Sequence, residues 1–328
     1  MRAVLCKQFG PPESLVIEDI PSPHAGPGQV VVSVKTAAVN FPDTLIIQDK
    51  YQHKPPMPFS PGADLAGVVK ETGPGVTAFK PGDRVLGFLT WGAFAEEVVV
   101  PAVSLVRLPD TLAFDIAASS GLTCSTSLYA LKQCGRLQPG QTLLVLGAAG
   151  GVGLVAVEMG KLMGARVIAC ASSVEKLEVC RQAGADELVN YEQADFRERL
   201  KQLAGKNGID VVYDPVGGKY AEPALRSMAW EGRYLVVGFA SGEFPKIGLN
   251  LALIKGCLII GVRRGQFMQR RPEESAANIA QFLGWLASGQ LKPHISVRYP
   301  LERAADAIND LMHRRISGKA VLEVGSSK

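Results

Sequence analysis

The chain has 328 residues, 47% hydrophobic and 20% charged, the balance of a folded protein with core enough for two domains and not of a disordered chain. Its 35 Lys+Arg against 31 Asp+Glu leave +4, too weak and too dispersed a charge for a nucleic-acid binder. No stretch reaches about 18 uninterrupted apolar residues, and the N-terminal MRAVLCKQFGPPE lacks a signal-peptide run, so no membrane partner is expected and the cytoplasm is the default compartment.

The first third alternates short β-rich runs with turn residues. QVVVSVKTAAV, LAGVVKETG, DRVLGF and AFAEEVVVP are each bounded by Gly, Pro, Asp or Asn, which predicts a compact, mostly antiparallel β domain. GPGQ, GPGV and KPGDRV mark tight turns between them. From about Thr123 the period changes. QTLLVLG reads as a buried strand and GLVAVEMGKLMG as a buried helix, and ARVIACA, SVEKLEVCRQAG, DELVNY, DFRERLKQLAG, IDVVYD, YAEPALRSM, GRYLVVGF and CLIIGV continue the alternation. That order predicts an α/β, doubly wound parallel sheet of about six strands, covered on both faces. The tail carries two amphipathic helices, EESAANIAQFLGWLASGQ and AADAINDLMHRR, then a strand, GKAVLEV, that rejoins the first domain. Residues 1–122 and 264–328 are thus expected to form one domain, with a nucleotide-type domain, 123–263, inserted between them.

Six cysteines, Cys6, Cys124, Cys134, Cys170, Cys180 and Cys257, have no CxxC spacing and read as reduced thiols of a cytosolic protein. The four histidines, His24, His53, His294 and His313, have no helical-spacing partner and read as surface residues. The densest basic cluster, Arg263, Arg264, Arg270 and Arg271, fits a solvated surface or an anionic ligand.

GAAGGVG follows a strand and opens a helix, the setting that turns a weak glycine pattern into a pyrophosphate cradle. Gly150 admits the phosphates, Gly153 lets helix pack on strand, and Ala148 keeps the first position small. At the end of the next strand an NAD site places an acid about 20 residues on; this chain has CASSVEK instead. Glu175 is explained as the partner of Ser172 in a helix capping box. A hydroxyl at Ser172 with Lys176 nearby suits a 2′-phosphate, which a carboxylate would repel, so NADPH is favoured over NADH.

AAVNFPDTLIIQDKY, PFSPGADLAGVV, GVTAFKPGDRVLGF, SSGLTCSTSLYAL, GAAGGVG, DPVGG and SGKAVL together carry a resemblance that covers essentially the whole chain. The chain resembles the zinc-free NADPH:quinone oxidoreductase (ζ-crystallin-like) branch of the medium-chain dehydrogenase/reductase superfamily. The resemblance implies a Rossmann domain inserted in a GroES-like catalytic domain, with the active site in the cleft between them, and a homodimer. CLIIGVRRG, read as the last sheet strand, is apolar enough to be the pairing edge, although sequence leaves dimer and tetramer open.

At the positions where zinc alcohol dehydrogenases carry ligands, this chain has Asn40, Ala63 of Gly62-Ala63-Asp64, and Ser120, and the four-cysteine lobe is missing, so no metal is expected. Carried over residue by residue, the family's contacts place Asn40 and Thr123 on the nicotinamide side and Gly150, Gly151, Val152 and Gly153 on the pyrophosphate. Ser172, Lys176 and Tyr191 resemble the 2′-phosphate clamp, and Val216, Gly217, Phe239 and Ala240 the loops at later strand ends. Plainer readings stand beside these: Tyr191 as strand-end packing, Thr123 as the cap of the following helix, Asp214 as a turn residue. Candidate hydrogen-bond donors to the substrate are the Asn40 amide and the Tyr51 hydroxyl, the latter also readable as part of a lid-like loop; Asp43 is expected to orient the Asn40 loop.

These residues point to hydride transfer from NADPH to a quinone or an α,β-unsaturated carbonyl. The alternatives are an enoyl-CoA (acryloyl-CoA-like) reductase, with the arginine cluster on the CoA phosphates, and a low-turnover NADPH-binding structural or RNA-binding protein.

Overall fold

The computed structural model describes residues 1–193 and 195–325. The chain divides into two compact units, Met1–Leu122 with Pro293–Lys328, and Thr123–Lys292.

The first unit opens with an antiparallel hairpin, β1 (Arg2–Leu5) on β2 (Val16–Asp19), which the sequence patterns had not marked. Strand β3 (Gln29–Val39) organises the rest, its run of β-branched residues buried on both faces. It is followed by helix α1 (Phe41–Ile46), β4 (Asp64–Thr72), β5 (Arg84–Phe88), β6 (Glu97–Pro101) and β7 (Leu105–Arg107). AFAEEVVVP contributes only its second half to a strand. Helix α2 (Phe114–Leu128) contains the change from one unit to the other. Thr123 lies inside this helix, so it is not the cap of a helix that follows.

The second unit strings together β8 (Thr142–Val145), α3 (Gly151–Leu162), β9 (Arg166–Ala171), α4 (Val174–Gln182), β10 (Glu187–Asn190) and α5 (Phe196–Ala204). It continues with β11 (Ile209–Asp214), α6 (Ala221–Arg226), β12 (Met228–Val236), α7 (Asn250–Lys255) and β13 (Leu258–Gly261). The six strands are all parallel in the order β10-β9-β8-β11-β12-β13. The order reverses direction between β8 and β11, which opens a ligand crevice at the carboxyl ends of these two strands. Leu144, Leu146, Ile168, Cys170 and Val212 fill the core beneath that edge.

Helices α8 (Arg264–Arg270) and α9 (Pro272–Ala287) belong to this unit too, which moves the return to the first unit from the expected residue 264 to Pro293. The physical reason is packing that periodicity does not register. Phe267 of α8 stacks on Tyr129 with ring centroids 4.2 Å apart, and Asn278 of α9 exchanges two 3.1 Å hydrogen bonds with Gln133.

The chain re-enters the first unit with β14 (Ile295–Pro300), helix α10 (Ala304–Met312) and β15 (Lys319–Glu323). Strand β15, the GKAVLEV strand expected to rejoin this domain, pairs antiparallel with β3 and parallel with β14, partners that sequence had not marked. The sheet runs β14-β15-β3-β4-β5-β7, with β6 also on β3. Ile46, Leu65, Phe94 and Leu322 are among the residues of its core. Among the described residues, no helix is long and apolar enough to cross a membrane. None of the six cysteines forms a disulfide, and all four histidines are exposed.

Candidate functional site

The candidate residues of the second unit gather along the carboxyl edge of its sheet. Strand β8 ends at Val145 and the chain turns through Gly147 at φ +57° into GAAGGVG. Gly150 is the N-cap of α3 and has no side chain to satisfy the helix's first N–H groups, which leaves them for an anion. A Cβ on Gly153 would stand 2.3 Å from the Gly147 carbonyl oxygen and 2.9 Å from the Ala148 Cα, so only glycine lets α3 cross this tightly over the turn. Ala148 is buried and its N–H donates to Cys170 O of β9 at 2.9 Å. Gly151 and Val152 form the first turn of α3, and the Val152 carbonyl accepts a 3.0 Å bond from Ser127. The Ser127 hydroxyl also pairs with the Tyr213 hydroxyl at 3.0 Å. Sequence reading missed this buried pair, since neither residue sits in a phosphate-loop pattern.

The DPVGG and GFAS loops meet at the ends of β11 and β12. Ala240 N–H donates to Pro215 O at 2.9 Å and Ser241 N–H to Val216 O at 3.0 Å. Gly217 has φ +68°, and a Cβ there would collide with the Phe239 ring at 2.8 Å. Asp214 is more than a turn residue. It is buried, accepts 2.8 Å bonds from the N–H groups of Val216 and Gly217, and takes the Tyr234 hydroxyl at 2.5 Å. Three bonds to this one carboxylate thus shape the loop that holds Val216 and Gly217 at the crevice.

On the other side of the glycine turn, Ser172 and Lys176 are half-buried at the end of β9 and in the first turn of α4. The cap of α4 is Ser173, whose Oγ accepts the Lys176 N–H at 3.3 Å, not Ser172. This corrects the capping-box reading, which was one residue early, and it leaves Ser172 as the last residue before the cap. Tyr191 follows β10, its N–H bonded to Ala171 O at 3.1 Å, and its ring packs on Tyr220 with centroids 4.3 Å apart. The two readings of Tyr191 are therefore compatible: a strand-end packing residue that also borders the Ser172 turn.

In the first unit the candidate residues form a buried polar hub. Asn40 follows β3 as the N-cap of α1, and it is only 4% exposed. Its backbone N–H donates to Asp43 Oδ2 at 2.7 Å, which is the loop-orienting role expected of Asp43. The amide oxygen accepts from Lys319 Nζ at 2.5 Å; the amide nitrogen donates to Asp64 Oδ2 at 3.1 Å and to Ala38 O at 3.2 Å. Both amide hydrogens are therefore engaged within the protein, and Asn40 is a hub and not an open donor in this state. Asp64 also accepts the Leu122 N–H at 3.0 Å, and Lys319 donates to Val39 O at 2.6 Å. Tyr51 is half-buried, packs against the core of this unit and lies 5.6 Å from the His53 ring. Burial pushes the Asp43 carboxyl up to about 7, against the opposing pull of the Asn40 N–H and the Lys319 charge.

Zinc does not fit this donor set. The Asn40 oxygen is taken by an ammonium, Ala63 has no donor, and the Ser120 hydroxyl donates to Ile116 O at 2.6 Å. Among the described residues, no three His, Cys, Asp or Glu side chains are grouped as a metal requires.

Two family models match: an alcohol dehydrogenase GroES-like domain over residues 26–110 and a zinc-binding dehydrogenase over residues 151–282. The quinone oxidoreductase-like protein 2 homolog of Nematostella vectensis is 37% identical over 325 residues, covering 98% of this chain and 88% of that one. The quinone oxidoreductase of Rattus norvegicus is 35% identical, covering 97% and 95%. The Escherichia coli quinone oxidoreductase, solved with NADPH, superposes with a TM-score of 0.92 at 29% identity, covering 98% and 100%. The chain belongs to the zinc-free quinone oxidoreductase branch of the medium-chain dehydrogenase/reductase superfamily and is an oxidoreductase.

The raised Asp43 carboxyl has a consequence for stability. A carboxyl that titrates at about 7 when folded and near 4 when unfolded binds its proton more tightly in the folded state, so stability is highest at low pH and is lost as pH rises through about 7. Glu158, pushed by burial to about 7, acts in the same direction. Asp43→Asn removes the first contribution, and denaturant midpoints measured from pH 5 to pH 8 should fall less steeply in the variant than in the wild type. Equal slopes would show that Asp43 does not carry the proton.

Proposed function

We propose that this protein is an NADPH-dependent, zinc-independent oxidoreductase that reduces a quinone or an α,β-unsaturated carbonyl. The observation that carries the cofactor choice is the end of β9, where Ser172 and Lys176 stand beside the helix-capping Ser173 and no carboxylate occupies the position that would select a ribose 2′-hydroxyl. The NADPH-bound Escherichia coli relative supports the same choice.

Bound NADPH supplies the hydride; the protein's own work is binding and orientation. The N–H groups at the start of α3 hold the pyrophosphate, with Gly153 keeping the helix close enough to the turn for the backbone to serve. Ser172 and Lys176 bind the 2′-phosphate, with Tyr191 closing its side. Asp214 fixes the Val216–Gly217 loop, and Phe239 and Ala240 pack the loop next to it. Thr123 borders the nicotinamide. On the acceptor side, Tyr51 brings a hydroxyl that can donate to a developing oxyanion, while Asn40, its amide hydrogens engaged within the protein, shapes the site. An electron-poor quinone or enone needs only such donors and a proton, whereas an alkoxide would need stronger stabilisation. Six cysteines outside any disulfide suit a reducing compartment such as the cytoplasm.

We also propose a homodimer formed through β13. This strand is the sheet edge, and Leu258 and Ile259 are 56% and 45% exposed on it. Trp230 and the α7 residues Leu253 and Ile254 are exposed as well. A second copy pairing along this edge would remove both the open backbone groups and the apolar surface from water.

The functional reading is tested by steady-state NADPH oxidation over quinones, enones and enoyl-CoAs, with NADH as control. Turnover with the first two classes and a strong preference for NADPH is expected; tight NADPH binding with no turnover across the panel refutes the reading. Ser172→Asp and Lys176→Ala should each raise KM for NADPH at least tenfold, about 1.4 kcal/mol, with little change for NADH. For the assembly, light scattering should give a dimer mass for the wild type and a monomer for Ile259→Lys; a monomeric wild type would rule the interface out.

A further inference from the structure

The register of the first unit brings one basic side chain into the polar hub. Ala320 pairs with Val39 across β15 and β3, which sets Lys319 beside Asn40 at the end of the ladder. The approach depends on the residue before it: Gly318 has φ +70°, and a Cβ there would lie 2.2 Å from the His294 carbonyl oxygen. Lys319 is 5% exposed, so its ammonium has given up nearly all water for protein acceptors. Two of them are the Val39 carbonyl at 2.6 Å and the Asn40 Oδ1 at 2.5 Å.

The chemistry of these partners fixes the amide between them. An ammonium only donates and an ionised carboxylate only accepts. Asn40 lies between Lys319 on its oxygen and Asp64 on its nitrogen, so a flipped amide would face like with like at both ends. Asp64 extends the line to the backbone of α2 through Leu122, and a Cβ on Gly121 would sit 2.8 Å from the same carboxylate. Asp43 faces the hub from α1, hydrogen-bonded to the Asn40 N–H and acted on by the Lys319 charge. One cation thus orients a side chain that joins the ends of β3, β4 and β15 and the start of α1.

We propose that Lys319 is a positioning residue of the reaction: its ammonium locks Asn40, and Asn40 in turn sets the acceptor side of the site. The role replaces, by internal hydrogen bonds, the ordering that three metal ligands would impose at these positions. It rests on the oxidoreductase reading, and it separates Lys319 from the cofactor-binding residues of the second unit. Removal of the charge therefore lowers kcat and leaves NADPH affinity alone.

The test is a double-mutant cycle of Lys319→Met and Asn40→Ala, read in kcat with the best quinone of the panel and in NADPH Kd by fluorescence titration. Each single change should lower kcat tenfold or more with Kd altered less than twofold, and the double variant should be no slower than the slower single. Unchanged kcat in Lys319→Met, multiplicative losses in the double variant, or a loss confined to NADPH binding would each overturn the proposal. Should Lys319→Met not fold, Lys319→Met with Asp64→Asn removes both charges together; a folded protein with full kcat then contradicts it and a slow one supports it. If the wild type turns over no acceptor, the oxidoreductase reading fails by itself. The same four proteins then decide the lock by thermal midpoint, coupled losses supporting it and additive ones overturning it.

Discussion

Lys319 donates to the Asn40 amide oxygen from β15 while Asp64 of β4 accepts from the amide nitrogen, and this bridge joins segments almost 280 residues apart in the chain. Burying an ammonium and two carboxylates costs several kcal/mol per ion unless each finds partners, so the bridge is tolerated only because strand register delivers the partners together. That requirement propagates outward. The residue before Lys319 must be glycine, the end of β3 must turn into α1 through the Asp43 bond, and α2 must present a backbone N–H to Asp64. The polar hub and the sheet that carries it are therefore one structural statement.

The second unit answers to a different constraint, the close approach of α3 to the turn before it. With the Gly147 carbonyl only 2.3 Å from where a Gly153 Cβ would be, the helix start is pinned over the ends of β8 and β9. Apart from Thr123 of α2, the residues of this unit proposed to hold the cofactor follow from strand order, because β10, β9, β8, β11 and β12 deliver Tyr191, Ser172, the glycine turn, Val216 and Phe239 in succession along one edge. The proposed selectivity rests on one place on that edge. A carboxylate after β9 would attract a ribose hydroxyl and repel a phosphate, and the chain instead offers a hydroxyl and a lysine.

Much of this was legible in the residues themselves. Strand and helix periods in the second unit are long and uniform, so the parallel sheet, its strand count and the setting of GAAGGVG could be read directly. What escaped depends on partners remote in sequence. The Ser173 cap, at φ −149° and ψ 164°, adjoins Ser172, an identical side chain that the sequence cannot tell from it. The attachment of α8 and α9 to the second unit rests on Phe267 meeting Tyr129 and Asn278 meeting Gln133, pairs no local pattern announces. SGKAVL was recognisable as a motif, but the reason for its lysine appears only when β15 is laid against β3. Asn40 was singled out as a hydrogen-bond donor to the substrate, and only the hydrogen-bond count showed that its donors are already committed.

The central claim is that internal hydrogen bonds, not a metal, order the site around Asn40. It is tested most directly by metal analysis of the purified protein together with NADPH-dependent turnover before and after exhaustive chelation. The account predicts no stoichiometric zinc and undiminished turnover. Zinc retained at about one per chain, with activity lost on its removal and restored on its return, would contradict it.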